Sequence, residues 1–172
     1  TRAFAFRAVA VNDAPVLESI TNKTTNEEVA KTLLLNATDV DADSLTYSAT
    51  SSSSSDVATS ISGTTLTLTP TANFAGTVTI TAKANDGTVD SAVQTFTLTV
   101  SAVNDAPVVG TVANQTTAED TAKTVTLSET DVDTGDSHTF TATSSTANVT
   151  PSISGATLTM TPAANWSGTA TI

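Results

Sequence analysis

The sequence carries the hexapeptide Val-Asn-Asp-Ala-Pro-Val twice, first at residues 11–16 and again at residues 103–108. The two copies are 92 residues apart, a length that suits one small β-sandwich domain. Self-similarity at a fixed period is typical of an array of like units. Within the hexapeptide, Asn and Asp offer short oxygen ligands, and Pro begins the next unit without donating to a strand ladder. The repeat therefore predicts tandem domains with one hexapeptide at each junction.

The two hexapeptides divide the 172 residues into three parts. Residues 1–10 align with the end of the first repeat, so we expect them to be the last strand of an upstream repeat. Residues 11–102 are expected to form one complete repeat, and residues 103–172 a second repeat that stops at the equivalent of Ile80. The second copy would then lack the end of its sixth strand and all of its seventh.

Short segments of alternating apolar and polar residues, separated by turn signals, predict strands rather than helices. The complete repeat is expected to have seven strands, near residues 15–21, 31–38, 45–50, 57–62, 64–69, 77–84 and 92–102. Ser62-Gly63 is the kind of tight turn that joins a hairpin, and a polar bend is expected through Glu27 and Glu28. The pattern predicts an all-β fold of tandem immunoglobulin-like Greek-key sandwiches.

Charge and composition exclude several classes of partner. The formal net charge of −11 argues against binding to nucleic acid or to an anionic membrane. No apolar run approaches the roughly 18 residues of a membrane-spanning helix, so no membrane insertion is expected. The absence of Cys excludes a disulfide framework, a thiolate metal site and a cysteine nucleophile.

An acidic loop recurs at the same place in both repeats. It reads Asp-Val-Asp-Ala-Asp at residues 39–43 and Asp-Val-Asp-Thr-Gly-Asp at residues 131–136. Carboxylates packed this closely repel one another unless a cation or water separates them, and Ca²⁺ takes about six to eight oxygen ligands. The loop is not an EF-hand, because the Gly and Glu of that motif are absent and no helices flank it. The recurrence favours a Ca²⁺ site over the alternative, a solvated acidic loop.

These motifs resemble the cadherin-like repeats of very large bacterial surface proteins and adhesins, and the resemblance covers essentially the whole chain. It rests on Asn-Asp followed closely by Pro at each junction, and on Ala-Thr-Asp-Val-Asp at residues 37–41. The second copy has Glu-Thr-Asp-Val-Asp at residues 129–133, and Ala-Asn-Asp-Gly at residues 84–87 matches the motif that closes the sixth strand. The Asp-Arg-Glu element of cadherins has no match in residues 70–76.

The resemblance implies Ca²⁺ as the cofactor at each junction. The residues implied at the upper junction, around residues 11–16, are Asn12, Asp13, Asp39, Asp41 and Asp86. The residues implied at the lower junction, around residues 103–108, are Glu28, Asn104, Asp105, Asp131 and Asp133. Glu28 and Glu119 match the Glu that follows the Asn-Asp pair of each repeat by about 15 residues. Because the Asp-Arg-Glu element is missing, fewer ions are expected per junction than in a full cadherin junction.

The expected function is structural: an extender repeat of a long exported adhesin or cell-surface fibre, made rigid by Ca²⁺ at its junctions. Its partners would be neighbouring repeats of the same chain or of another copy, together with a cell-surface or matrix ligand. One alternative is a module whose loops recognise a glycan or a partner protein. Another is a filament subunit, in which residues 1–10 of one copy complete the second sandwich of a neighbour.

The remaining polar and aromatic residues do not predict chemistry. No catalytic residue is expected, because the sequence shows no nucleophile–base pair and no Gly-x-Ser-x-Gly elbow. Phe74 and Trp166 occupy equivalent corners, where core packing is expected and a sugar-stacking platform is the alternative. His138 aligns with Leu45 and is expected to be a partly buried structural residue.

Overall fold

A computed structural model describes residues 3–9 and 11–172, and over these residues the fold is all-β, with no helix. The prediction of the fold class is confirmed. The chain separates into two compact units, the first ending at Val103 and the second running from Asn104 to Ile172. In the described part of the chain, no helix has the length and the apolarity needed to cross a lipid bilayer.

The first unit consists of two larger sheets, which face each other, and a two-stranded pair. Its strands are β1 (Val16–Leu17), β2 (Lys23–Asn26), β3 (Lys31–Leu34), β4 (Ala37–Thr38), β5 (Thr46–Ser51), β6 (Val57–Ser62), β7 (Thr65–Pro70), β8 (Gly76–Asn85) and β9 (Gln94–Ser101). One sheet has the order β2-β9-β8-β5 and the other has the order β3-β7-β6, while β1 pairs with β4. Strand β2 runs parallel to β9, and the other pairs are antiparallel.

The core lies between these sheets because β7, β8 and β9 alternate apolar residues with Thr. Successive side chains of a strand point to opposite faces, so the apolar set points inward and the Thr set toward solvent. The buried residues from these strands are Leu66, Leu68, Val78, Ile80, Ala82, Ala84, Phe96, Leu98 and Val100. Leu17, Leu35 and Val57 complete the cluster, and Phe74 packs against it as predicted. Burial of these side chains provides the main stabilisation of the first unit.

A tight turn joins β6 to β7, as the Ser-Gly pair predicts. Ser62 pairs with Thr65, which leaves a two-residue loop of Gly63 and Thr64. Gly63 has a φ of +59°, and a type II′ hairpin turn takes Gly at this position because a side chain would be strained there. Gly155 repeats the turn in the second unit with a φ of +57°.

The prediction for residues 15–28 is wrong in two details: the strand expected near 15–21 is only Val16–Leu17, and strand β2 forms where a polar bend is expected. Its sequence, Lys-Thr-Thr-Asn, has no apolar alternation that could mark it as a strand. The strand exists because its backbone pairs with β9, where Lys23 is the partner of Leu98. The side-chain oxygen of Asn22 also accepts the N–H of Thr97 at 3.0 Å.

The second unit has one sheet of the same kind as β3-β7-β6. Its strands are β10 (Val108–Val109), β11 (Lys123–Thr126), β12 (Glu129–Thr130), β13 (Val149–Ser154) and β14 (Thr157–Pro162). The order β11-β14-β13 repeats the order of the first unit, and β10 pairs with β12 as β1 pairs with β4. Its buried apolar side chains are Leu127, Val149 and Leu158.

Residues 139–144 form no strand, although they match β5 of the first unit. Their side chains alternate exposed with half-buried, as those of β5 do. In the first unit, β5 pairs with the end of β8, from Ile80 to Asn85. The N–H of Ser145 donates to the carbonyl of Thr171 at 2.9 Å.

The N-terminal residues 3–9 form no strand and are exposed to solvent. Phe4 and Phe6 are 89% and 86% exposed. The assignment of residues 1–10 to an upstream repeat therefore stays a prediction, and residues 1, 2 and 10 lie outside the described part of the chain.

Candidate metal centre

The acidic loop of the first unit gathers three carboxylates after β4. Ligand oxygens of Asp39, Asp41 and Asp43 lie within 4.8 Å of one another. The loop is tight because the N–H of Asp41 donates to Oδ1 of Asp39 at 2.8 Å, and Ala42 has a φ of +61°. Alternate residues of an extended strand would point apart, so this turn is what brings the acids together.

The hexapeptide is hydrogen-bonded to this loop and to the turn after β8. The N–H of Asp13 donates to Oδ2 of Asp41 at 2.8 Å, and the side-chain amide of Asn12 donates to Oδ2 of Asp86 at 2.9 Å. All five residues that were predicted for the upper junction thus lie at one end of the first unit.

Asp86 is held in its charged form by the turn that follows it. Its Oδ1 accepts the N–H groups of Thr88 at 2.6 Å and Val89 at 2.7 Å. The N–H of Val89, followed by the amide of Asn12, lowers the pKa of Asp86 below its ordinary value. Nearby, an ion pair with Lys83 and then a hydrogen bond from Asn85 lower the pKa of Asp90. Asp86 is therefore anionic at neutral pH, and it is half-buried.

One oxygen of the cluster is buried without a donor. Oδ2 of Asp39 is shielded from solvent and accepts no hydrogen bond. Leaving a buried acceptor unpaired costs about 1–3 kcal/mol, and a charged acceptor costs more. The neighbouring carboxylates add like-charge repulsion. The candidate ligand atoms are carboxylate oxygens of Asp. Ca²⁺ prefers hard oxygen ligands of this kind, so the residues fit this ion.

The second unit repeats two of these hydrogen bonds. The N–H of Asp105 donates to Oδ2 of Asp133 at 2.5 Å, and the N–H of Asp133 donates to Oδ1 of Asp131 at 2.8 Å. The side-chain amide of Asn104 donates to the carbonyl of Asp105 at 2.7 Å, and Oδ2 of Asp131 is again buried without a hydrogen bond. Among the described residues, the gathering of three carboxylates occurs at 39–43 but not at 131–136, where Gly135 is inserted.

Two adjacent Glu residues at the other end of the first unit are placed very differently. Glu28 is exposed and has a φ of +59°, like Asp120 in the second unit. Glu27 is 6% exposed, and its Oε1 accepts the N–H of Val103, the first residue of the second hexapeptide, at 2.6 Å. Sequence reasoning chose Glu28, but the 92-residue register pairs Glu27 with Glu119 and was the signal that could have found it.

Replacing Glu27 with Ala is expected to lower the free energy of unfolding of the first unit by about 1.5–3 kcal/mol, because the N–H of Val103 loses a charged acceptor. Glu28→Ala should change it by no more than about 0.5 kcal/mol, as for exposed substitutions elsewhere. Urea denaturation of both variants checks this, with Glu27→Gln as the control that keeps an acceptor. Equal losses for Glu27→Ala and Glu28→Ala would contradict the assignment.

Comparison with known proteins places both units in one broad class. A profile of the cadherin-like domain matches residues 11–101, and a profile of the bacterial Ig domain matches residues 104–172. Domains of these kinds are typical of extracellular proteins, where they typically serve as structural or adhesion modules rather than enzymes. No curated protein matches the chain.

Solved structures with similar folds include human Protocadherin-24 EC1-2, which is 17% identical with a TM-score of 0.48 and matches 91% of this chain and 83% of its own. Surface layer protein SbsC, domains 4-9, is 16% identical with a TM-score of 0.39, over 88% of this chain and 27% of its own.

A third structure is a nucleoside hydrolase-related hypothetical protein from Saccharophagus degradans, 20% identical with a TM-score of 0.41. It matches 53% of this chain, which spans 26% of that protein. The sequence-based resemblance to cadherin-like repeats is confirmed by the family profile. Because that profile matches more than half of the residues, the chain belongs to the cadherin-like domain family.

Proposed function

We propose that the chain is a structural extender of a long exported adhesin or cell-surface fibre, and that Ca²⁺ at its junctions makes the array rigid. One observation carries the proposal: Oδ2 of Asp39 is buried without a donor inside a cluster of three carboxylates. A divalent cation would both pair that oxygen and screen the repulsion between the acids. The family supports the extracellular setting, where Ca²⁺ is abundant.

The ligands follow from the two ends of each unit. In the first unit, Asn12, Asp13, Asp39, Asp41 and Asp86 would provide oxygens, since they already lie together through hydrogen bonds. In the second unit the equivalent set is Asn104, Asp105, Asp131 and Asp133. At the other end of the first unit, we propose Glu27 as a ligand in addition to Glu28, because the carboxylate of Glu27 accepts the backbone N–H of Val103.

The same proposal assigns the parts of the chain. Residues 1–10 would belong to an upstream repeat, residues 11–102 form one repeat, and residues 103–172 belong to the next. The partners would then be neighbouring repeats, of this chain or of another copy, and a cell-surface or matrix ligand. We infer no catalytic role, and the cadherin-like and Ig-like profiles support this assignment.

The other two functions have less support. A loop-based module for a glycan would use exposed aromatic rings, but Phe74 packs against the core and Trp166 is half-buried. Assembly into filaments by strand donation is favoured by the exposed Phe4 and Phe6, whose alternation resembles that of β9. It remains the second candidate.

Adding Ca²⁺ to the chain in chelator-treated buffer is expected to raise its stability. An ion that binds only the folded state contributes about 1.4–2.7 kcal/mol when its free concentration is 10 to 100 times Kd, and extracellular modules bind Ca²⁺ at roughly 0.1–1 mM. Calorimetry measures the melting temperature, and small-angle scattering measures the maximum dimension. Asp41→Asn is the control that weakens the site. Identical melting curves and dimensions with Ca²⁺ and with chelator would refute the proposal.

A further inference from the structure

The second unit places a histidine against the acidic loop, where the first unit has a leucine. Nε2 of His138 lies 2.9 Å from Oδ2 of Asp131, and Nδ1 lies 3.3 Å from Oε1 of Glu129. The side chain of Asp131 is 5% exposed and that of His138 is 19% exposed. One imidazole therefore faces a carboxylate with each of its nitrogens, in a site that is shielded but reachable from solvent.

The contact between His138 and Asp131 is within ion-pair distance, but the N–H direction of the ring is not aligned with the oxygen. Oδ2 of Asp131 has no aligned donor, although the ring nitrogen is within 3 Å of it. A neutral imidazole has one N–H, so if Nδ1–H faces Glu129, Nε2 carries a lone pair and lies beside the carboxylate oxygen. Two such electron-rich atoms lie stably side by side when a cation binds both of them.

Their separation suits a shared metal ion. Two ligands bound about 2.0–2.1 Å from one ion, at an angle near 90–110°, are roughly 2.8–3.4 Å apart, and the separation of 2.9 Å falls within this range. In many metal sites the second nitrogen of a metal-binding His donates to a carboxylate, which fixes the orientation of the ring. Glu129 is on the correct side of His138 to accept that hydrogen bond.

The first unit lacks both features. The residues that match Glu129 and His138 are Ala37 and Leu45, so only oxygen ligands surround the equivalent buried oxygen of Asp39. Carboxylate oxygens suit Ca²⁺, whereas imidazole favours Zn²⁺, Cu²⁺ and Ni²⁺. The two units thus differ in the kind of ligand they present, although their loops share the same hydrogen bonds.

We propose that the second unit carries a transition-metal site of the zinc class, in which Nε2 of His138 and Oδ2 of Asp131 bind the ion. Glu129 accepts Nδ1–H and is a positioning residue, and solvent completes the coordination. The site shares Asp131 with the proposed Ca²⁺ ligands, but it can be tested separately, because Glu129 and His138 have no counterpart in the first unit.

His138 is the one histidine of the sequence, so its imidazole signals in an NMR spectrum need no assignment. Titration of the intact chain with ZnCl₂ is expected to shift the Nε2 resonance strongly, while CaCl₂, which binds oxygen ligands, should shift it much less. If ZnCl₂ leaves the imidazole signals in place, the nitrogen is held by its two carboxylates alone and the proposal is wrong.

Calorimetric Zn²⁺ titrations of variants test the same site by affinity. His138→Leu, which installs the residue of the first unit, should weaken Zn²⁺ binding at least tenfold, and Glu129→Ala by about 10–100-fold. The double variant Ala37→Glu with Leu45→His should add a Zn²⁺ site to the first unit, which keeps the test decisive if His138→Leu folds poorly. Equal Zn²⁺ affinity in the original chain and in folded His138→Leu would overturn the proposal.

Discussion

Phe96→Ala is expected to lower the free energy of unfolding of the first unit by about 3–5 kcal/mol, the usual cost of removing a buried aromatic ring. Phe96 is 2% exposed and lies on β9, opposite Ile80 of β8 in the same sheet. The cavity would lie in the middle of the core, between rigid strands that cannot collapse into it. Urea denaturation, followed by circular dichroism, measures the loss.

Asp41→Ala is the matched control, since it removes a proposed ligand and no core side chain. Asp41 is exposed, and the substitution leaves the N–H of Asp13 to pair with water. In chelator-treated buffer the expected change is within about 1 kcal/mol. If Asp41→Ala destabilises the first unit as much as Phe96→Ala does, Asp41 contributes to the folded core and not only to the candidate metal site.

The sequence predicted the strands that alternate and missed the one that does not. In β7 and β8, Thr alternates with Leu, Val, Ile or Ala, so both the strands and their buried faces could be read directly. Strand β2 consists only of polar residues and depends on the backbone of β9, which follows it by about 70 residues. Pairing at that distance is a property of the whole fold and leaves no local signal.

The residue types of the candidate site were also accessible from the sequence, but its contacts were not. The repeated Asp-x-Asp pattern indicated which acids to consider, and the structure brings Asn12 to Asp86, which are 74 residues apart. One oxygen of Asp39 is buried beside a turn in which Ala42 has a left-handed conformation, and an Ala in the sequence does not indicate that conformation. The choice between Glu27 and Glu28 depended on which residue of the pair turns inward.

The contacts of His138 could not be predicted from the sequence either, because they depend on the path of the acidic loop. His138 aligns with Leu45 once the inserted Gly135 is taken into account. Because Gly135 has a φ of +107°, the longer loop follows a path that a residue with a side chain would disfavour. Sequence alone gave His138 a structural role, whereas its two ring nitrogens lie against Glu129 and Asp131.

Asp39→Asn is expected to change the stability of the first unit in opposite directions with and without Ca²⁺. In chelator, the substitution should raise the free energy of unfolding by about 1–3 kcal/mol, because it removes a buried charge whose Oδ2 has no donor. The hydrogen bond from the N–H of Asp41 to Oδ1 can remain, so the turn is kept. The new amide also replaces repulsion by two neighbouring carboxylates with an attraction.

With Ca²⁺ at 10 to 100 times Kd, the original chain gains about 1.4–2.7 kcal/mol that Asp39→Asn largely forgoes, so the order of stability should reverse or nearly so. Chemical denaturation in chelator and in millimolar CaCl₂ gives the four free energies needed. Asp43→Asn is the control, since it removes the same charge from the same cluster but at an exposed side chain. If Asp39→Asn destabilises the unit equally in both buffers, the buried oxygen of Asp39 is not the group that Ca²⁺ pairs.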